Sequence, residues 1–306
     1  MNAITENPYR ILGLFCNSNE KELQKQIAII NRFAEVGKIK SFEYDFPFLG
    51  NIKREQQTIR EASSKIEQAK NKVHYSLFWF LNINHIDDAA FNHLKVSRID
   101  KATEIWEKVI KDHPISEKNY SAAINLSTLN LGLITLNGSF DIEQFKKSID
   151  LKGQIISSDH FVNFIKTVAG DNLILKREHI LNEFVDEVLL IIKPYLNSDN
   201  GITQDKLIDL FDSFPFDTKK YVMGKFTDRP FNHINDYIEK TKIKRVNKVT
   251  DADKYGEELY KNTENELLKL KNILGGENIQ YRLISDKLAN EILQCAIDFF
   301  LNIETN

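Results

Sequence analysis

The chain has 306 residues, enough for one large or two ordinary domains, and its 42% hydrophobic content suits a protein that buries a real core. Lys and Arg number 41 against 44 Asp and Glu, a net charge of −3, which excludes attraction of the chain as a whole to nucleic acid or anionic membrane. Only 12 Gly and 6 Pro occur, too few for the phosphate loops and tight strand–helix turns of an α/β enzyme, so an all-α fold of helices joined by short loops is expected.

Two cysteines, Cys16 and Cys295, form neither a disulfide framework nor a zinc set, and they suit a reducing compartment. Met1 to Arg10 carries no apolar signal-peptide core. The longest apolar runs, 77–81 and 188–192, fall far short of the ~18 residues of a membrane span. A cytoplasmic location with no membrane contact is therefore expected.

In chain order, residues 18–40 read as a helix with Leu23, Ile27, Ile30 and Ala34 on one stripe, and Asn19 with Glu22 forms a capping-box pattern at its start. Pro47 and Gly50 interrupt at 41–50, an aromatic loop. Residues 52–82 read as one long helix with Ile59, Ala62, Ile66, Ala69, Val73, Leu77 and Phe80 inward, and with Lys53 and Arg54 on the opposite face. Its end, LFWFLN, needs a cover. Helices are expected at about 86–95, 98–111, 116–136, 141–156, 159–169 and 174–193. Asp141 with Gln144 is a further capping pair, and Asn197 to Gly201 is a polar turn at a domain boundary. Helices at about 202–213, 217–227 and 230–240 follow. A long helix at 250–274, capped by Thr250 and Asp253, and a last one at 280–301 complete the chain. The expected domains are 1–82, 83–196 and 197–306.

The segment NPYRILGL, Asn7 to Leu14, carries a resemblance: Tyr9, Leu12, Gly13 and Leu14 followed by two amphipathic helices resemble a J-domain, the helical module of DnaJ-type co-chaperones. The resemblance covers the first 80 residues and implies an antiparallel helical hairpin. It also implies that a basic strip on the second helix, Lys21, Lys25 and Arg32, would meet an acidic surface of a DnaK-type chaperone. The family's His-Pro-Asp tripeptide is missing, for the loop reads Tyr44-Asp45-Phe46-Pro47-Phe48, so ATPase stimulation does not carry over. The plain alternative for the strip is a solvated helix face. For Phe42, Tyr44, Phe46 and Phe48 the two readings are a partner-docking tip and a plug over the helices. Past residue 80, HLKVSRIDKATEIWEKVI resembles one arm of a tetratricopeptide-like hairpin, with Ala102 and Trp106 packed between helices, so an array of packed α-hairpins is expected.

No catalytic residue, cofactor or metal site is expected. The seven His form no zinc pattern. His85 and His93, with Asp87 and Asp88 between them, read as a solvated helix, and the phosphate-loop and nucleophile-elbow motifs are absent. Five basic residues lie in Lys240 to Lys248 without interleaved aromatics, and they read as a linker to the acidic helix that follows rather than a nucleic-acid site. Ile292, Ile297, Phe299 and Phe300 need a cover, which a dimer or additional helices would supply. The functional expectation is a non-catalytic adaptor for protein partners. A divergent co-chaperone recruiting a DnaK-type ATPase is the first alternative, and a nucleic-acid factor or an enzyme with a scattered site is the second.

Overall fold

A computed structural model describes residues 3–136, 140–196 and 204–304. Fourteen α-helices and no β-strand occur among them. They are α1 (Pro8–Leu12), α2 (Glu20–Glu35), α3 (Gln56–Lys65), α4 (Ala69–Ser76), α5 (His85–Leu94), α6 (Ile99–Ile110), α7 (Tyr120–Leu136), α8 (Ile142–Ser157), α9 (Phe161–Ala169), α10 (Arg177–Ile192), α11 (Gln204–Asp209), α12 (Phe216–Asn247), α13 (Ala252–Leu274) and α14 (Ile279–Glu304). The chain divides into two units, Met1–Thr203 with Leu210–Thr218, and Gln204–Asp209 with Lys219–Asn306. The expected boundary at Asn197 to Gly201 lies outside the described residues.

The first unit is organised around α7. Its sequence, YSAAINLSTLNLGLITL, holds no charge and no polar face, and a helix of that kind is stable only when surrounded. Residues 120–129 are buried without exception. Helices α5 to α8 pack in sequence, each on the next, and α8 also meets α9 and α10. Ala102 and Trp106 of α6 are fully buried, as their spacing predicts. The buried polar groups of α7 have partners. Ser127 donates to the Ala123 carbonyl at 2.7 Å, and the Asn125 amide reaches Asp87 Oδ1 at 3.0 Å. Lys152 of α8 is fully buried and donates to the Thr128 hydroxyl at 2.7 Å and the Ile124 carbonyl at 3.2 Å.

The region expected as one helix over 52–82 differs most. It is two helices, α3 and α4, followed by a turn at 77–79, in which Phe78 and Trp79 N–H donate to the Tyr75 and Ser76 carbonyls, and by residues 80–83 without regular structure. The apolar run Leu77 to Leu81 is at most 1% exposed at every position. A helix lying on a core buries only one stripe, whereas an irregular segment enclosed on all sides buries everything. The backbone of such a segment must find partners without a sheet. Asn125 supplies both, accepting from Leu81 N–H at 2.8 Å and donating to its carbonyl at 2.7 Å. Asn17 does the same for Asn82, Cys16 N–H donates to the Phe80 carbonyl at 3.0 Å, and Asn7 donates to the carbonyls of Tyr75 and Phe78. These bonds and the Phe80–Trp106 stack merge the first 82 residues with 83–196 in one core, so the expected boundary at residue 82 falls inside it.

In the second unit α12, α13 and α14 pack around Ile234, Ile238, Leu259, Leu270, Ile284 and Leu288. Gly256 lets α13 approach α14, because a Cβ there would sit 3.1 Å from Cys295 Cβ. Two helices were expected over 217–240. A single one runs through, with Pro230 inside it. The missing N–H at Pro230 is outweighed by the burial of Ile234 and Ile238 one and two turns later.

Candidate functional site

The candidate site is assembled by the 41–50 loop. Its organiser is Arg54, expected on a solvated helix face but 1% exposed at the side chain. All five guanidinium N–H groups are used. Nε donates to the Ile11 carbonyl at 2.7 Å. Nη1 donates to the Lys40 carbonyl at 2.6 Å and to Asp45 Oδ2 at 2.7 Å. Nη2 donates to the Arg10 carbonyl at 3.0 Å and to Asp45 Oδ1 at 2.5 Å. Asp45 Oδ2 also accepts from Phe42 N–H at 2.9 Å. One buried side chain thereby ties the C-terminal end of α1 to the start and the middle of the loop. Arg10, also buried, donates to the carbonyls of Thr5 at 2.8 Å and Gly50 at 2.7 Å. Burial pulls its guanidinium down to about 10, against the opposing pull of Asp45 and with a smaller push from Arg54.

The loop aromatics then take fixed places. Phe46 is fully buried among Phe80, Phe91, Trp79 and Phe48, with ring centroids 5.0 to 6.4 Å apart. Its φ of 49° and ψ of 95° are unfavourable for a residue with a Cβ, so packing holds the strain. Tyr44 lies against Phe15 at 4.3 Å and under Lys95 Nζ at 4.7 Å, and Lys95 pairs with Glu43 at 2.8 Å. That pairing raises the Lys95 ammonium and lowers the Glu43 carboxyl. Phe42 lies on Gly13, whose φ of +68° ends α1, and beside Arg54 at 4.8 Å.

Between this loop and α2 runs a groove of about 670 Å³, walled by Phe15, Asn17, Glu22, Lys25, Gln26, Ile29, Phe42 and Tyr44. Across Phe42 a second depression of about 810 Å³ is bounded by Ile39, Pro47, Ile52, Lys53 and Lys95. Of the expected binding residues, the groove unites Lys25, Phe42 and Tyr44. Lys21 and Arg32 are exposed on α2 but do not line it. Phe46 has no surface to offer, and Phe48 is half-buried beside it. Gln26, which the stripe pattern left unremarked, lines the groove with a buried Oε1 that has no hydrogen-bond partner among the described residues.

The other candidates resolve into structure. Asp87 is fully buried and accepts from Ile83 N–H, Trp106 Nε1 and Asn125 Nδ2. Burial still raises its carboxyl pKa over those bonds. Among the described residues, no group of three His, Cys, Asp or Glu is placed to hold a metal ion. The basic run after Lys240 is engaged. Lys242 pairs with Glu239, Lys244 with Glu258, Lys248 with Asp251, and Arg245 with Glu291 and Asp298, while Lys240 lies over the Tyr237 ring. Among the described residues no helix is long and apolar enough to cross a membrane. No family model matches this chain, and comparison with curated proteins and with solved structures gives no match either.

Proposed function

We propose that the protein is a non-catalytic adaptor. Its J-domain-like N-terminal segment binds a protein partner in the groove between α2 and the 42–44 loop, and its helical body carries that module. The carrying observation is the composition of the groove: the Phe42 and Tyr44 rings and the exposed Lys25 cation line one volume, with Gln26 beside Lys25 in the same wall. Aromatic faces supply area at low conformational cost, and the Lys25 ammonium beside them favours a polypeptide that carries an acidic side chain. Lys25→Glu combined with Gln26→Ala should preserve the far-UV circular dichroism and reduce recovery of the specific partner from the native host at least about tenfold. Equal recovery by wild type and variant would remove the groove from consideration.

One observation favours the co-chaperone version of the same reading. Lys21, Lys25 and Arg32 are all exposed on α2, and none takes part in an ion pair among the described residues. A strip of that kind is free to meet an acidic surface on a DnaK-type ATPase domain. In place of His-Pro-Asp the loop offers Asp45, whose carboxylate is committed to Arg54. Recruitment without ATPase stimulation is therefore expected. Titration of the cognate chaperone should show salt-dependent binding that Lys21→Glu/Lys25→Glu abolishes, with steady-state ATP hydrolysis unchanged. Absence of any binding rejects this version.

A further inference from the structure

The α14 helix has two apolar faces, and its own bundle uses one. Ile284, Leu288, Glu291 and Cys295 face α12 and α13 and are buried. On the opposite side Ile279, Leu283, Asp286, Asn290, Leu293, Ile297 and Phe300 recur at spacings of 4 and 3, an unbroken heptad stripe. Its apolar members are 72%, 64%, 58%, 40% and 65% exposed, and Leu301 beside them is 56% exposed. A single exposed Leu is ordinary, but a heptad seam along one helix is not.

We infer that this face of α14 joins two copies of the chain as an antiparallel helix pair. The polarity of the stripe selects the occupant. Set antiparallel with a positions over d positions, Ile279 meets the partner's Ile297, Leu283 meets the partner's Leu293, and Asp286 meets the partner's Asn290. Ile279, Leu283, Leu293 and Ile297 are then each opposite an apolar residue, and the central carboxylate is opposite an amide donor. Such a two-fold contact satisfies the same patch on both subunits. The parallel alternative puts Asp286 against its own copy, two like charges in one seam, and is disfavoured. An unrelated apolar partner or a lipid surface gains nothing from polar residues at mid-stripe, whereas a self-complementary pair uses them to fix register. The helix is about 39 Å long, and its uncovered side offers roughly 600–800 Å² per copy, close to one side of a standard interface.

Sedimentation of the full chain at about 10 μM should show a dimer. Leu283→Lys with Ile297→Lys, both on the exposed face, should weaken self-association at least about 100-fold and leave the circular dichroism unchanged. Register is tested by oxidation. Positions 283 and 293 are about 15 Å apart along one helix, too far for an internal disulfide, so a covalent dimer from Leu283→Cys/Leu293→Cys, with none from either single cysteine, requires the antiparallel pair. Leu283→Cys alone should give none. A monomer at tens of micromolar overturns the inference, as does a dimer indifferent to the lysine substitutions. A cross-link formed by Leu283→Cys alone, or a monomer that co-sediments with anionic vesicles, overturns it equally.

Discussion

Arg54 and Asp45 form a two-pronged ion pair at 2.5 and 2.7 Å, and the remaining Arg54 donors close on the carbonyls of Arg10, Ile11 and Lys40. The pair is the joint between the end of α1 and the loop that walls the candidate groove. A buried pair adds little over an apolar filling, but losing one partner strands the other. Arg54→Ala leaves the half-buried Asp45 carboxylate with only the Phe42 N–H and takes the guanidinium donors from the carbonyls of Ile11 and Lys40, and should cost about 3–5 kcal/mol in urea unfolding. Arg54→Lys restores charge but not the fork, so it should recover less than half of that loss. Full recovery by lysine would show that charge alone holds the loop.

Phe46 is the second anchor of the same loop. Phe46→Ala removes a fully buried ring and leaves the positive φ in place, so about 3–5 kcal/mol of stability should be lost. The exposed Lys25 lies on another element, so at temperatures where the variant remains folded, partner binding should weaken through loop displacement only. Hydrogen exchange of residues 42–49 should then rise before that of α7.

Lys152 gives a pH signature. It is fully buried, it reaches only a hydroxyl and a carbonyl, and burial pulls its ammonium from the usual 10.5 down to about 7. Between pH 10.5 and 7 the unfolded chain binds a proton there that the folded chain does not. Its contribution to stability therefore falls as pH falls through that window, and levels off below about 7, where both states are protonated. Lys152→Met should gain roughly 2–4 kcal/mol at pH 7 and less at pH 10. Urea midpoints of the two proteins at both pH values measure this, and a gain independent of pH would mean the lysine is folded in its charged form.

How much of this was legible in the sequence depends on whether the cause was local. The Asn19–Glu22 capping box closes as its spacing predicts, and Asp141 accepts from the N–H groups of Glu143 and Gln144. Both are contacts within one helical turn. Thr250 did not act as a cap, because residues 249–251 form a 3₁₀ turn and the cap position falls to Asp251. The break between α3 and α4 has no Gly or Pro to announce it. Nor has the end of α4 at Ser76, after which the backbone of 78–82 takes its partners from Asn7, Asn17 and Asn125, at sequence separations up to 71. Helical spacing on its own counts Leu77 and Phe80 as one stripe and has no way to register that Phe78 and Trp79 are buried as well. Arg54 was misplaced for the same reason: periodicity assigned it to solvent, while its five acceptors come from Arg10, Ile11, Lys40 and Asp45. The groove residues Lys25, Phe42 and Tyr44 could be picked by type, but Gln26 could not, since an unpartnered acceptor exists only once the surrounding surface is built.

Gly13 couples the turn after α1 to the groove wall, and a double substitution separates its two duties. Its φ of +68° lets the N–H groups of Gly13 and Leu14 reach back to the carbonyls of Arg10 and Tyr9, closing α1. Its missing side chain also leaves room for the Phe42 ring, which any Cβ there would strike. Phe42 cannot withdraw freely, because its N–H is bound to Asp45 and its ring lies beside Arg54. Gly13→Ala should therefore cost about 2–4 kcal/mol, of which the left-handed backbone accounts for roughly 1–2. In a Phe42→Ala background the collision is gone, and only the backbone share should remain. The cycle should thus show a coupling of about 1–2 kcal/mol between the two positions in urea unfolding. Additive losses would mean that the ring yields without cost, and that Gly13 serves only to end the helix.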